Sequence, residues 1–200
     1  MVKAVEVNIE RMRFGHIRQV TEIERRSFTN TWPFGAFFSE LFNRRAYYVV
    51  ATINEKVVGF AGMWVVDDEA HITTIAVDPD WRGRKIGERL LLHLLQEARR
   101  RGAEYAILEV RVSNLIAQNL YHKYNFKIAY TRKGYYSDNN EDAFVMRLDD
   151  LQSKEVGLML ENFAKKLAMT IFKLSKVLAI VLLNKKRPNR FQKPIRSVYY

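Results

Sequence analysis

The segment from Val77 to Gly87 constrains the fold most, because it leads an apolar strand through a basic, glycine-containing loop into a helix expected to begin near Glu88. A helix N-terminus exposes unpaired backbone N–H groups and carries about half a positive charge, so it attracts anions. Arg82, Arg84 and Lys85 add positive side chains to this loop. The segment therefore predicts a strand–loop–helix unit that binds a pyrophosphate. The alternative is a solvated basic turn before a surface helix.

Glycine spacing in this loop narrows the class of ligand. Gly83 and Gly87 match neither the phosphate loop Gly-x-x-x-x-Gly-Lys-Ser/Thr nor the dinucleotide-binding pattern Gly-x-Gly-x-x-Gly. ATP and NAD are therefore disfavoured, and the loop favours another nucleotide-like coenzyme.

Length and charge predict one domain with an appendage. A chain of 200 residues with 48% hydrophobic content can bury one sizeable core. Its formal net charge is +11, and residues 151–200 hold 11 Lys and Arg against Glu155 and Glu161, a net charge of +9. We therefore expect one folded domain over residues 1–150, an amphipathic basic helix over 151–184 and a basic, disordered tail over 185–200.

Several classes of site are excluded by residue usage. The chain has no cysteine, so disulfides, thiolate zinc sites and a cysteine nucleophile are absent. Its histidines have no metal-binding spacing, and we expect no metal and only surface or packing roles for them. Charged residues interrupt the N-terminus early, which argues against a signal peptide and favours a cytoplasmic location. The four histidines are His16, His71, His93 and His122.

Hydrophobic periodicity predicts an α/β fold with the element order β-α-α-β-β-β-α-β-α-β-β. Strand-like alternation and helical spacing can be followed from residue 5 to residue 148, with no internal repeat. The predicted strands cover 5–14, 47–53, 57–66, a segment ending at 77, 105–112, 127–131 and 143–148. The predicted helices cover 16–28, 34–42, 88–101 and 115–124.

Glu109 is a candidate functional residue because of its place in the strand over 105–112. Residues 106, 108, 110 and 112 are apolar and share one face, which leaves Glu109 on the opposite face. Taken alone, such a glutamate is more often a solvated strand residue.

The passage around Glu109 resembles a known family. Leu-Glu-Val-Arg over 108–111 is followed by Ser113-Asn114, by Leu120-Tyr121 and by Gly134-Tyr135-Tyr136. Together with the basic loop, this pattern resembles the GNAT acetyltransferases, and in particular the RimI-type protein-alanine N-acetyltransferases, over roughly residues 8–148.

Two positions depart from the pattern of that family. Arg82 and Gly87 fit its coenzyme A loop, Arg/Gln-x-x-Gly-x-Gly/Ala, but Lys85 stands where the first glycine is usual. Lysine is tolerable there if the site keeps ordinary helical dihedrals, since it adds charge without needing a positive φ. Asn125 replaces a turn glycine, and asparagine accepts a left-handed conformation.

The resemblance implies a GNAT fold. Its central sheet is mixed, mostly antiparallel and seven-stranded, is splayed at the cofactor site and is flanked by about four helices, here with a C-terminal helical extension. The co-substrate implied is acetyl-CoA, attacked directly by an amine, with Glu109 as base and Tyr121 as acid. Tyr121 could instead pack under the sheet, and Asn114 could be only a helix cap. The coenzyme-binding residues implied are Ile75, Ala76, Val77, Arg82, Gly83, Arg84, Lys85, Ile86, Gly87, Glu88 and Asn114.

The acceptor implied by the resemblance is the α-amine of a protein N-terminus, such as that of a ribosomal protein. Aromatic residues near the cleft are candidates to bind it, with ordinary core or rim packing as their alternative. Two other functions stay open: a GNAT enzyme acting on lysine side chains or small amines, and a non-catalytic module that binds CoA. The aromatic candidates are Phe28, Trp32, Tyr135 and Tyr136.

The C-terminal segment is not explained by the resemblance. Apolar residues fall at helical spacing from Leu158 to Leu183, and a basic stripe lies on another face. The segment is too often interrupted by lysine to span a bilayer, which takes about 20 apolar residues. Three roles compete for residues 158–200: packing on the domain or a second subunit, binding at a membrane surface, and contact with the ribosome.

Overall fold

The computed structural model describes the backbone of residues 6–185 and the side chains of residues 6–169. It confirms the predicted order of strands and helices. The strands are β1 (Asn8–Arg11), β2 (Ala46–Ile53), β3 (Lys56–Val66), β4 (Glu69–Val77), β5 (Tyr105–Arg111), β6 (Lys127–Tyr136) and β7 (Glu141–Leu148). The helices are α1 (Ile17–Ser27), α2 (Phe34–Phe42), α3 (Ile86–Arg100), α4 (Leu115–Lys123) and α5 (Lys154–Lys185).

The strands form one seven-stranded sheet in the order β1-β2-β3-β4-β5-β7-β6. Each neighbouring pair is antiparallel except β4 and β5, which run parallel. These two strands pair only where Glu69–His71 lies beside Tyr105–Ile107. The expected mixed, mostly antiparallel sheet, splayed in the middle, is therefore confirmed, and the splay gives a ligand access to two strand edges.

Helices cover both faces of the sheet, and each face has its own core. On one face α1 and α2 pack with β2 and β3 around the rings of Phe37 and Phe60, which meet edge to face at 5.5 Å. On the other face α3 and the start of α5 pack around Leu90, Leu94 and Leu160. Burial of these apolar faces stabilises the packed sheet by about 25 cal/mol for each Å² of apolar surface removed from water.

Helix α3 begins at Ile86, two residues before the expected start at Glu88. Its apolar residues recur at helical spacing and are buried, as the sequence predicts. The helix ends at Arg100, and Gly102 follows with a φ of +86°, a left-handed conformation that glycine adopts without steric cost.

Helix α5 runs back along α3. At its start, Arg99 of α3 donates hydrogen bonds to the carbonyl oxygens of Leu151 and Ser153. Four turns later, Arg89 of α3 donates to the carbonyl oxygen of Leu167 at 2.7 Å. Leu160 and Leu167 are buried, so the first half of α5 belongs to the core.

The division of the chain at residue 150 stays a prediction. The helix expected over residues 151–184 corresponds to α5. The tail expected over 185–200 lies, from residue 186 onward, outside the described residues. Within the part of the chain that the structure describes, none of the helices is long and apolar enough to cross a membrane.

Candidate active site

A cavity of about 520 Å³ opens where β4 and β5 separate. Elements from both halves of the sheet line it: β4, β5, the start of α4, the α1–α2 loop and the β6–β7 loop. It brings together many of the residues singled out from the sequence. These are Ile75, Glu109, Asn114, Tyr121, Phe28, Trp32, Tyr135 and Tyr136.

Glu109 projects from the open face of β5, because the strand alternates buried and half-buried residues as predicted. Its side chain is only 9% exposed, yet both carboxylate oxygens are paired. The Oε2 atom lies 2.8 Å from Nε2 of His71, and the Oε1 atom lies 2.9 Å from Nη1 of Arg132. Burial alone would raise the pKa of Glu109, but the hydrogen bond from His71 and the charges of His71 and Arg132 lower it.

His71 is a site residue that the sequence analysis assigned only a surface or packing role. It lies on β4 opposite Ile107, at the last paired position before the strands diverge. The hydrogen bond to Glu109 is the largest cause of its raised pKa, and burial opposes the shift. The signal that could have found it is the parallel pairing of β4 with β5, which places an outward residue of one strand beside an outward residue of the other.

Strand β4 carries a bulge at the cavity. Gly62 pairs with Thr74 and Met63 pairs with Ile72, which leaves Thr73 unopposed. The buried hydroxyl of Tyr48 lies 3.0 Å from the Thr73 hydroxyl and ties the bulge to β2.

The bulge precedes three of the residues implied to bind the coenzyme, Ile75, Ala76 and Val77. Ala76 is buried and the other two are half-buried. The edge of β4 that turns toward β5 has lost its partner strand at this level. Backbone N–H groups on such an edge are available to a bound ligand.

Helix α4 positions Asn114 and Tyr121 in the cavity. Asn114 caps the helix, and its Oδ1 accepts a hydrogen bond from the backbone N–H of Ala117 at 3.1 Å. Its amide nitrogen is the group left to face a ligand. Tyr121 packs its ring against Phe126, and burial raises the pKa of its hydroxyl, so the phenol stays protonated at neutral pH.

The basic loop does not line this cavity and lies at the start of α3. Arg82, Gly83, Arg84 and Lys85 are all exposed. Arg82 donates from Nε to the carbonyl oxygen of Val77 at 3.2 Å, and Arg84 stacks over the Trp81 ring at 4.7 Å. The condition of ordinary helical dihedrals is not met at Lys85, because its φ is +63°. It holds the left-handed position at which the related loops place glycine.

The first turn of α3 contains a buried carboxylate. Ile86 and Glu88 are buried, and Gly87 approaches Val77 of β4 without a side chain. Glu88 contacts the ammonium groups of Lys123 and, at 3.3 Å, Lys85. Burial would raise the pKa of Glu88, but these two lysines lower it. Because Glu88 is neutralised in this way, it does not repel an anion at the helix N-terminus.

Two loops meet above the cavity. Asn30 in the α1–α2 loop donates to the Ser137 hydroxyl in the β6–β7 loop at 3.5 Å. Arg111 of β5 fixes the second loop, since it pairs with Asp138 at 2.8 Å and stacks over the ring of Tyr136 at 3.8 Å. Sequence reasoning gave Arg111 no role, because its partners lie far along the chain.

The α1–α2 loop is fixed by Glu24. This buried residue of α1 accepts a hydrogen bond from the backbone N–H of Trp32 at 3.0 Å, which holds Trp32 at the cavity wall. Phe28 follows the end of α1 and is 39% exposed. On the opposite wall, Tyr135 and Tyr136 meet edge to face at 5.1 Å.

The arrangement suits acetyl-CoA as a co-substrate. Exposed cations and a helix N-terminus form an anion site, and the unpaired edge of β4 leads from that site to the cavity with Glu109 and Tyr121. The described residues contain no cluster of three or more His, Cys, Asp or Glu side chains arranged for a metal ion.

Comparisons with known proteins agree with this geometry. Residues 17–126 match the acetyltransferase (GNAT) family. The chain is 40% identical over 128 residues to the ribosomal protein bS18-alanine N-acetyltransferase of Escherichia coli strain K12, covering 63% of this chain and 86% of that protein. It is 38% identical over 138 residues to the N-alpha-acetyltransferase RimI of Mycobacterium tuberculosis, covering 66% and 85%.

Solved structures give the same result. The crystal structure of the ribosomal-protein-S18-alanine N-acetyltransferase from Escherichia coli superposes with a TM-score of 0.68 at 35% identity, over 72% of this chain and 94% of that one. A Thermoplasma volcanium Ard1 structure superposes with a TM-score of 0.67 at 27% identity, over 72% and 97%. The loop, the splayed sheet and these matches together place this chain in the GNAT family of acetyl-CoA-dependent N-acetyltransferases.

Proposed function

We propose that this protein transfers an acetyl group from acetyl-CoA to the α-amine of a protein N-terminus, with alanine as the type of first residue and a ribosomal protein as the acceptor. The observation that carries the proposal is the pairing of Glu109 with His71 in the cavity that Tyr121 also lines. The relatives named as bS18-alanine N-acetyltransferases support this choice of acceptor.

Proton removal from the acceptor falls to Glu109. A peptide α-amine has a pKa of about 7.7 to 8.0, so it must lose a proton before it attacks. Glu109 attracts the ammonium form and accepts its proton, directly or through a water, while Nε2 of His71 holds the carboxylate at 2.8 Å. Arg132 keeps the carboxylate ionised before the acceptor binds.

The remaining steps use β4 and α4. Acetyl-CoA supplies the acetyl group as a thioester. Backbone N–H groups of Ile75, Ala76 or Val77 stabilise the negative charge that collects on the acetyl oxygen during attack. Tyr121, whose phenol is protonated at neutral pH, donates a proton to the departing sulfur. The amide nitrogen of Asn114 and the cationic loop hold the coenzyme in place.

The lowered pKa of Glu109 favours an α-amine over a lysine side chain. At pH 7.5 roughly a third of an α-amine is already neutral, whereas only about 0.1% of a lysine amine with a pKa of about 10.4 is neutral. A weakly basic carboxylate suits the first acceptor and not the second. Aromatic side chains surround the space that the first residue of the acceptor peptide would fill: Phe28, Trp32, Tyr135 and Tyr136.

Peptides that differ only at their first residue test this proposal. The purified protein is incubated with acetyl-CoA and peptides beginning with Ala, Ser or Met, beside α-blocked peptides that contain one lysine, and products are read by mass spectrometry. Transfer to the free α-amine of the alanine peptide is expected. Transfer only to lysine would favour an enzyme that acts on lysine side chains. CoA binding without transfer would favour a non-catalytic module that binds CoA.

Contact of residues 158–200 with a membrane surface or the ribosome stays a prediction. The net charge of +9 over residues 151–200 supports an anionic partner. Residues up to Leu167 already pack on the domain, so such contact would depend on the residues beyond it. Partition onto anionic liposomes and co-sedimentation with ribosomes, each compared with the chain that ends after Leu167, would separate the two partners.

A further inference from the structure

Glu24 is a buried carboxylate in the wall of the cavity that the proposed chemistry does not use. It is 4% exposed and lines the cavity together with Glu109. One carboxylate oxygen, Oε1, accepts the hydrogen bond from the backbone N–H of Trp32. The other, Oε2, is shielded from solvent and has no hydrogen-bond partner among residues 6–169, whose side chains the structure describes. Half of this carboxylate is therefore satisfied and half is not.

The surroundings of Glu24 differ from those of Glu109. His71 and Arg132 lie on the two oxygens of Glu109 and lower its pKa. At Glu24 burial raises the pKa, and the hydrogen bond from Trp32 is what opposes the shift. A buried polar atom without a hydrogen-bond partner costs free energy, so it calls for an explanation. Because Glu24 lines the cavity, a ligand that fills the cavity is a source of the missing donor.

Glu24 lies on the same face of the sheet as Glu109. Leu108 and Val110 belong to the core beneath α3, so Glu109 between them points to the face that α1 and α2 cover. Glu24 is on α1, close enough to Tyr48 for its charge to act on that hydroxyl. The coenzyme loop lies at the start of α3, on the opposite face. A peptide that enters from the face of α1 would therefore meet both carboxylates.

A peptide offers two kinds of N–H group near its reacting end. Its α-ammonium group must reach Glu109 to lose a proton. The amide N–H of its second residue follows about 3.5 Å further along an extended chain. An amide N–H donates one hydrogen bond, and an ionised carboxylate only accepts. This second N–H is therefore the donor that suits Oε2 of Glu24.

We propose that Oε2 of Glu24 binds the amide N–H of the second residue of the acceptor peptide. Glu24 then joins two N–H groups, one from the α1–α2 loop and one from the peptide, and so sets how deeply the amine enters the cavity. This inference rests on the proposed function, because it assumes that a peptide N-terminus fills the cavity. It makes Glu24 a residue that selects peptides over small amines, which lack this amide.

Acetylation of two matched substrates tests the inference. One is an alanine peptide, and the other is the same peptide with an ester oxygen in place of the N–H of its second residue. The native protein is expected to use the amide peptide with a kcat/KM about 10- to 100-fold above that of the ester, the range of a hydrogen bond to a charged group. Each ratio is measured within one protein sample, so it does not depend on the fraction of the protein that is folded.

Glu24→Gln separates the roles of the two carboxylate oxygens. Glutamine has one amide oxygen, which can keep the bond from Trp32, and its NH2 group then cannot accept the N–H of the peptide. The variant should lose about 10-fold or more in kcat/KM with the amide peptide and little with the ester, so that the ratio approaches one. Glu22→Gln changes an exposed glutamate two residues earlier on α1 and should keep the native ratio.

Each other outcome counts against the contact. An unchanged ratio in Glu24→Gln, or equal losses with both substrates, would overturn it and leave Glu24 only as a support for the α1–α2 loop. The same change of ratio in Glu22→Gln would also overturn it, because surface charge would then explain the effect. A native protein that acetylates no free α-amine would overturn the proposed function itself, whereas native transfer with an unchanged ratio in Glu24→Gln leaves that function intact.

Discussion

The imidazole Nε2 of His71 lies 2.8 Å from the carboxylate Oε2 of Glu109, at the last paired position before β4 and β5 separate. The other carboxylate oxygen pairs with Arg132 at 2.9 Å. Glu109 is therefore held as an anion with a lowered pKa, and His71 has a raised one. The pair combines an anion that attracts an ammonium group with an imidazole whose pKa is raised by that anion.

Replacing Glu109 with glutamine is expected to reduce kcat about 10²- to 10⁴-fold, because the variant keeps the size of the side chain but loses its charge and its basicity. The affinity for coenzyme A should stay within about twofold, since the loop at α3 is untouched. Steady-state kinetics on the alanine peptide measure the first effect, and calorimetry measures the second.

Glu104→Gln is the matched control for this change. Glu104 is an exposed carboxylate just before β5, at the end of the strand away from the cavity. The Glu104→Gln variant should keep the native kcat. A Glu109→Gln protein with native kcat would remove Glu109 from the mechanism.

The pKa values of His71 and His93 should be shifted in opposite directions. The hydrogen bond to Glu109 raises the pKa of His71 above its ordinary value of 6.5, whereas burial beside Tyr47 lowers the pKa of His93 below it. NMR titration of the imidazole protons measures both. In Glu109→Gln the pKa of His71 should fall toward 6.5, and that of His93 should not move. An unchanged pKa of His71 would show that the pair does not form in solution.

The same shift predicts how stability depends on pH. Because the folded pKa of His71 exceeds its unfolded pKa, the pair stabilises the protein fully below pH 6.5, and this stabilisation is lost as pH rises through the folded value. Urea unfolding should therefore show a larger destabilisation by Glu109→Gln at pH 6 than at pH 9. An equal destabilisation at both values would contradict the assignment.

Local pattern was enough to predict the order of strands and helices and the outward face of Glu109. Alternation in β5 and helical spacing in α3 are direct consequences of backbone geometry, so they can be read from the residues themselves. The cavity residues Tyr121 and Asn114 came from a resemblance and not from periodicity, because a tyrosine or an asparagine at those positions is usually a packing or capping residue.

The partners of Glu109 could not be predicted in that way. His71 is 38 residues distant and meets Glu109 only through the parallel pairing of β4 with β5. Arg132 reaches the carboxylate from β6. The left-handed backbone of Lys85 was also missed, because the side chain alone argued for an ordinary conformation. Tertiary pairing, and not local propensity, decides such details.

Lys85 carries a steric penalty that glycine would remove. A φ of +63° brings its Cβ atom close to the carbonyl oxygen and costs about 1 to 2 kcal/mol for a residue with a side chain. Lys85→Gly should therefore be more stable to unfolding than Lys85→Ala by about 1 kcal/mol, since both variants lose the contact with Glu88 and only alanine keeps the strain. Thermal and urea unfolding measure the difference. Equal stabilities would mean that the loop relaxes to an ordinary conformation.

Gly62 and Gly35 should respond to alanine in opposite directions. A Cβ atom at Gly62 would clash with the ring of Tyr48, which is buried and hydrogen-bonded through its hydroxyl to Thr73 of the β4 bulge. Gly35 lies in α2, and a Cβ atom there would meet nothing within 4 Å. One substitution overpacks the sheet, whereas the other only restricts the unfolded chain.

Gly62→Ala should accordingly lower the free energy of unfolding by about 1 to 3 kcal/mol, and Gly35→Ala should raise it by about 0.5 to 1 kcal/mol. Urea denaturation of the two variants gives both values. Tyr48 must move to admit the new methyl group, and this movement should disturb the bulge that positions the backbone of Ile75. Gly62→Ala should therefore also lower kcat, whereas Gly35→Ala should keep the native kcat. A stable Gly62→Ala protein with native kcat would show that the Tyr48 ring does not determine the shape of the bulge.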